Sequence, residues 1–513
     1  MNSSAAETNA QNGFQRREPK KRRTGVIIGA IAALAVIGAV AAGAVLLNKS
    51  NKDESLSIGL ILEPTNLDVR NTSGVALDQI LLDNVYEGLI TLRPGTVDEF
   101  QPALATALPE ISADGLTYTF KLREGVSFHN GATLDVNDVV TSLQAGLESE
   151  DITANVSGDE AARTVTITLT QPNSELLWHL AGRAGIVLDA EATNDLANTA
   201  NGTGPFKFVN WREGDSLTLE RNDDYTGNNP AQIQQVVFRF IPDGRAAVNA
   251  LKDGSLDVQT ALLPSLRADL ENQPGFDLVR AESTDVFTLA FNSARAPFDN
   301  PLVRQALSQA INTDAIITSQ HGDGKTLGSP ITELEPGFQN LSAVNAYNPE
   351  NARILLAQTG NENLSLTITV PNHYDSAALD IVASQLQQIG VSVNIDRVDF
   401  GTWLERVYMN KDYDLSYVDH AEARDFDNYA NPNYYFGYNS PQVQQLVAKA
   451  RTATDPASAD ALLQEAAAVV AQDAPAKWLF NYTPTTVISD GVSGFPTSNT
   501  NSRINLSTVT INE

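Results

Sequence analysis

The chain has 513 residues, enough to bury a large core, and 42% hydrophobic with 7% aromatic content places its bulk among ordinary globular proteins. It contains no cysteine, which removes disulfides, thiolate metal sites, thiol catalysis and lipid attachment through Cys. The net charge is −28; the first 25 residues carry +4, so the remainder carries −32, the wrong sign for a surface that must neutralise phosphates. No nucleic-acid partner is expected.

Residues 1–15 are polar. Arg16, Arg17, Lys20, Lys21, Arg22 and Arg23 then form a basic block, followed by an uncharged run from Val26 to Leu47. A helix over that run would reach about 33 Å, enough to cross a bilayer, with the basic block inside and all that follows outside. The run reads either as an uncleaved anchor or as a cleaved signal segment ending near Ala39-Val40-Ala41 or Ala42-Gly43-Ala44. Its length favours the anchor, and both readings export the chain. The expected division is therefore 1–25 a cytoplasmic tail, 26–47 the membrane or signal segment, and 48–55 a polar linker.

The body alternates strand and helix patterns. Leu56, Ile58, Leu60 and Leu62 alternate as a first strand; Tyr118, Phe120 and Leu122, then Val165, Ile167 and Leu169, repeat that period in a strand-rich stretch. Pro301, following Asn300, opens a helix whose apolar stripe is Val303, Ala306, Leu307 and Ala310. A β-α-β unit follows: a strand at Leu364–Val370, a helix capped by Asp375 and ended by Gly390, and a strand at Val391–Ile395. Further helices are marked around Val443–Ala450 and Leu462–Val470.

Several segments, in order, resemble one family. They are YEGLITL (86–92), SADGLTYTFKLREGVSFHNGATLDVNDVVTSL (112–143), GTGPFKF (202–208) with RNDDY (221–225), ALKDGSLDV (250–258) and FNSARAPFDNPLVRQALSQAI (291–311). The resemblance is to the bacterial extracellular solute-binding proteins of family 5, the dipeptide-, oligopeptide- and nickel-binding components of ABC importers. It implies an α/β, type II periplasmic-binding-protein-like fold, with two α/β lobes joined by a hinge and a third, inserted domain. On that topology 56–75, 193–288 and 482–513 form lobe 1, 76–192 the insert and 289–481 lobe 2.

The resemblance also implies a ligand site in YDLSYVDHAEARDFDNYANPNYYFGY (413–438). Peptide-binding relatives place an aspartate there against the ligand's α-ammonium group, and Asp425, followed by Phe426, is the nearest equivalent. The Trp and the Asp-Pro of the family pattern are missing here. Arg424 and His420 are candidates for a ligand carboxylate or for lobe closure. Tyr417, Trp403, Tyr434 and Tyr435 are candidate walls of an apolar pocket. His129 and the Gly202-Thr203-Gly204-Pro205 turn read as structural, Arg304 as a helix-surface or interdomain ion-pair residue, and HGDGKT (321–326) as a surface loop and not a nucleotide-binding one. No catalytic residue, metal ligand or cofactor is expected. The reading is a monomeric, non-enzymatic binder of peptides, partnered by an ABC permease at the outer face of the cell membrane. Its alternatives are the same fold holding a metal chelate, oligosaccharide or opine, a tethered receptor for a peptide signal, or, from another class, a secreted hydrolase.

Overall fold

The computed structural model of the chain describes residues 55–512, apart from Ser73, Asn194, Asn499 and Asn501. The Val26–Leu47 segment lies outside these residues; among the described ones no helix is long and apolar enough to cross a membrane.

Alternation in the first strand, Ser55–Leu60, puts Leu56, Ile58 and Leu60 into one core, each at most 1% exposed. This strand is central in a seven-stranded sheet. It pairs in parallel with Gln235–Phe240 and Val258–Leu262, and antiparallel strands extend the sheet on both sides. The core beneath it gathers residues from Leu56 to Tyr86, from Ile186 to Val258, and from Ile488 to Val509. Sequence-distant segments thus complete this lobe.

Lobe 2 holds a six-stranded sheet centred on Val286–Phe291, between Ala476–Tyr482 and Leu415–His420. Every residue of Val286–Phe291 is buried, because helices and loops cover both sheet faces. Burying each large apolar side chain there contributes about 1.5–3 kcal/mol. The β-α-β unit lies at one edge. Ser365–Pro371 and Ser392–Val398 run parallel, the helix Ala377–Gln388 connects them, and Gly390 follows it at φ 90°. Asp375 accepts the Ala377 amide at 3.4 Å.

The strand-rich stretch folds around its own core, drawn from Leu89 to Val187. Its antiparallel sheet runs in the order Glu110–Ile111, Thr117–Lys121, Thr164–Leu169, Ala154–Asp159. The helix Val136–Ser149 packs on it, its start fixed by reciprocal hydrogen bonds between Asp135 and Asp138. The helix Val75–Leu81, within the segment expected to be inserted, packs instead into the lobe 1 core.

The chain passes between the two large sheets at Ala281–Asp285 and at Thr483–Pro484. These crossings are bonded to each other, Ala281 N–H to Pro484 O at 2.9 Å and Tyr482 N–H to Asp285 O at 2.8 Å. Beside them Asp323, fully buried, accepts from Arg267 and Arg280 at 2.8 Å each and from the Thr485 hydroxyl at 2.9 Å. HGDGKT is a surface loop, as expected, with four of its six residues exposed, but it turns the Asp323 carboxylate inward and so clasps the hinge.

Candidate functional site

Four of the family-like segments, YEGLITL, SADGLTYTFKLREGVSFHNGATLDVNDVVTSL, GTGPFKF and RNDDY, converge on one buried carboxylate. Glu87 accepts from the Thr203 hydroxyl and from the Tyr225 hydroxyl, each at 2.9 Å, and faces Arg123 at 3.5 Å. Burial holds the Glu87 carboxyl above its usual range, an effect these partners oppose. His129 joins the same junction, with Nε2 donating to Gly204 O at 3.0 Å and Nδ1 accepting from Gly202 N–H at 3.3 Å. Burial pulls His129 down to about 4, so it stands neutral. A Cβ on Gly202 would come within 1.9 Å of Val85 O, which explains glycine there by close backbone approach. Arg304 is a correction: it is 5% exposed and donates to the carbonyls of Asp473 (2.9 Å) and Phe298 (2.7 Å), tying two helix ends instead of lying on a helix surface.

The cleft itself holds a cavity of about 430 Å³. Lobe 1 contributes Arg70, Thr72 and Asp78, the insert Trp178, His179 and Arg183, lobe 2 Glu422 and Ala423, and the returning chain Ser502 and Arg503. The three guanidinium groups are committed to the walls. Arg183 holds Asp78 at 2.7 Å, Arg503 holds Asp83 at 2.9 Å, and Arg70 donates to the Arg183 carbonyl at 2.9 Å. Glu422 has no hydrogen-bonded or ion-paired partner among the described residues. Its side chain is open to the cavity but surrounded by protein. That enclosure, with repulsion from Asp425 and Asp78 and only partial relief from Arg183, pushes its carboxyl up to about 6.

Glu422 is placed by what lies behind it. The strand Leu415–His420 ends at the cleft, and the chain turns through Arg424 at φ 60° into a short helical turn, Asp425–Ala430. His420 is the post: Nδ1 meets Asp425 Oδ2 at 2.5 Å and Nε2 meets the Tyr435 hydroxyl at 2.8 Å. Burial alone would lower the His420 pKa; the Asp425 carboxylate, by charge and hydrogen bond, outweighs it and holds the imidazole above its usual value. Asp425 gives its other oxygen to the Asn428 amide. Both its oxygens therefore serve the turn, and it does not line the cavity.

The other expected residues divide. Tyr434 packs edge-on against Phe436 (4.9 Å) and tilted against Tyr435, beside His420, as part of the post. Tyr417 and Trp403, expected as pocket walls, are core residues at 2% and 4% exposure; Tyr417 packs on Phe287, and Trp403 donates to Ser416 Oγ at 3.0 Å. Arg424 does reach the lobe boundary. Its guanidinium lies 4.8 Å over the Trp178 ring of the insert. The residue missed was Glu422. Nothing local distinguishes it from Asp419, Asp425 or Asp427; only the course of the loop does.

Two lobes joined by two crossing segments, with a polar cavity between them, give the architecture of a cleft-type solute-binding protein. The chain belongs to the bacterial extracellular solute-binding proteins, family 5, whose model matches residues 99–440. It is 26% identical over 456 residues to the probable ABC transporter periplasmic-binding protein SapA of Escherichia coli, covering 79% of this chain and 82% of that one. It is 28% identical over 463 residues to the glutathione-binding protein GsiB of Pectobacterium atrosepticum, covering 84% and 88%. Its fold matches the Helicobacter pylori periplasmic binding protein DppA in complex with the peptide STSA, with a TM-score of 0.79, 24% identity, and 90% and 98% of the two chains covered. This is a family of transporter substrate-binding proteins, and its place is outside the cytoplasm.

Proposed function

We propose that the chain captures short peptides by lobe closure and delivers them to an ABC permease, held at the outer membrane face by Val26–Leu47. The observation that carries the reading is Glu422, a carboxylate open to the cavity with no hydrogen-bonded or ion-paired partner among the described residues, where the arginines of the wall are already committed. An α-ammonium group supplies the missing charge and up to three donors. His420, Asp425 and Tyr434 act from behind by fixing the loop, and Arg424, at the seam, is the group for a ligand carboxylate. The cavity of about 430 Å³ sits toward the small end of ligand sites, which suits a short ligand. A ligand touching both lobes binds the closed state better and so drives the hinge. The protein acts as a monomer and needs no cofactor.

The test is native mass spectrometry of the chain purified without denaturation, with release and identification of bound masses. Short peptides with free amino termini are expected. A single ligand without an amino group, such as an oligosaccharide, overturns the peptide reading and Glu422's role in it.

A further inference from the structure

A second cavity, of about 550 Å³, lies between the insert and lobe 2. Phe100 and Tyr118 of the insert face Leu334, Pro336 and Leu463 of lobe 2 across it, and Arg424 forms part of its wall. It adjoins the first cavity directly, because Trp178 lines the first, Arg424 lines the second, and the two side chains stack at 4.8 Å. A smaller recess of about 220 Å³ runs alongside. It shares Glu150 and His179 with the first cavity and Glu175 and Arg451 with the second. The seam between insert and lobe 2 is therefore one line of connected space, narrowed at the Arg424–Trp178 contact.

That contact has the character of a partition. Arg424 makes no hydrogen bond or ion pair through its side chain among the described residues, and its Nε is buried without a partner. A guanidinium held by one ring face is displaced at modest cost, since such a contact contributes about 0.5–2 kcal/mol. Its backbone, in contrast, is fixed: φ is 60° and the N–H donates to the Glu335 carboxylate. The side chain can swing while its root stays. Glu422 and Arg424 are two residues apart in the chain, so their Cα atoms are separated by at most about 7 Å, close to the reach of a dipeptide from amine to carboxylate.

We infer that the 550 Å³ cavity is a second ligand compartment, reached past Arg424 and Trp178, that takes an apolar or aromatic side chain from the distal part of a peptide longer than two residues. The chemistry follows from which charges in its wall are already used. Arg451 is shared between Glu175 at 3.2 Å and Asp427, while Glu335 accepts from the Thr332 amide and hydroxyl as well as from Arg424. What is left to meet a ligand is the Phe100, Leu334, Pro336 and Leu463 surface, with the Arg424 guanidinium at the entry and the carboxylates of Asp98 and Asp460, which have no hydrogen-bonded partner among the described residues. An apolar side chain buries that surface; an acidic one meets two carboxylates as well as the Arg424 guanidinium and gains no comparable burial. This compartment rests on the peptide reading above, because its entry lies beyond the site proposed for the ligand's amino end.

The experiment is calorimetry on the intact chain with Ala-Ala and with the tetrapeptides Ala-Ala-Ala-X, where X is Phe, Gly or Glu. Burying one aromatic side chain makes the Phe peptide bind at least about tenfold more tightly than the Gly peptide or the Glu peptide. Leu463→Arg, which fills the compartment with a charge, brings the Phe and Gly peptides to within about twofold of each other. A measurement on the unaltered protein guards against misfolding of that variant. A tetrapeptide carrying a photoreactive benzoylphenylalanine at its last position is expected to crosslink to Leu334–Pro336 or Leu463. Crosslinks confined to residues of the first cavity overturn the inference, as do equal affinities for X = Phe, Gly and Glu alongside normal Ala-Ala binding. Failure of every peptide to bind, Ala-Ala included, overturns the peptide reading and the compartment together.

Discussion

Acidification should weaken ligand binding through one carboxylate. In the free protein Glu422 is held up to about 6 by enclosure in the cleft and by the neighbouring Asp425 and Asp78. A bound ammonium group favours the ionised form, so binding is coupled to loss of the Glu422 proton. At about pH 7 the carboxylate is about nine-tenths ionised and binding is near full strength; at about pH 5 only about one molecule in eleven has it ionised, so Kd rises about tenfold. The ligand amine, with an ordinary pKa of about 8, stays protonated across most of that window. His420, whose pKa is also raised, lies behind the same loop. The variant Glu422→Gln separates the contributions. It should weaken Ala-Ala binding by about tenfold at pH 7, at the lower end of a charged hydrogen bond because Glu422 is open to the cavity, and its remaining affinity should vary little from about pH 7 to about pH 5. Calorimetry of Ala-Ala across that range reads both effects. A flat profile in the unaltered protein, or an unchanged slope in Glu422→Gln, refutes the assignment.

Stability carries its own pH signature and its own weak point. His129 has a folded pKa of about 4, below the unfolded value of about 6.5. Its contribution is present in full above pH 6.5 and is lost as pH falls toward 4, an effect of roughly 2–3 kcal/mol. Urea unfolding at pH 7 and at pH 4.5 should show a smaller loss in His129→Gln, and an identical loss would discard the mechanism. Asp323→Ala leaves Arg267 and Arg280 facing each other without their carboxylate at the hinge. Because Arg280 is 43% exposed and partly hydrated, the cost is about 2–3 kcal/mol and not the full penalty of a buried pair. A negligible drop in thermal unfolding temperature would show that the clasp is not under load.

What the sequence reveals and what it conceals follow from the range of the interactions. The alternation of Leu56, Ile58 and Leu60, the TVTITLT strand and the β-α-β unit at 365–398 are legible because each is set by neighbours within a few residues. The motif segments are legible too, but their shared purpose is not. Thr203 and Tyr225 meet Glu87 across 116 and 138 residues, so only the folded chain reveals one polar junction. The loop after His420 is the hardest case. It and the strand end before it offer acids at 419, 422, 425 and 427, and the resemblance points to Asp425, yet the helical turn takes Asp425 for His420 and Asn428 and leaves Glu422 facing the cleft. Tyr417 and Trp403 were drawn into the expected site for the same reason. An aromatic near a ligand loop and an aromatic in the core beneath it have the same local pattern.

One feature of the lobe 1 sheet bears on how the chain is made. The strand Thr485–Ser489, close to the C-terminus, is not an edge strand: it lies between Phe276–Arg280 and Val258–Leu262. All of lobe 2 intervenes in the chain between those partners and this strand. The first lobe therefore lacks an interior strand until nearly the whole polypeptide has emerged, and the second waits almost as long for its own interior strand, Ala476–Tyr482. During vectorial synthesis or export, the early half is kept from closing into its final form by a piece that arrives last, and the long loop closure this demands makes that step slow. A chain that must cross a membrane unfolded gains time from such an arrangement.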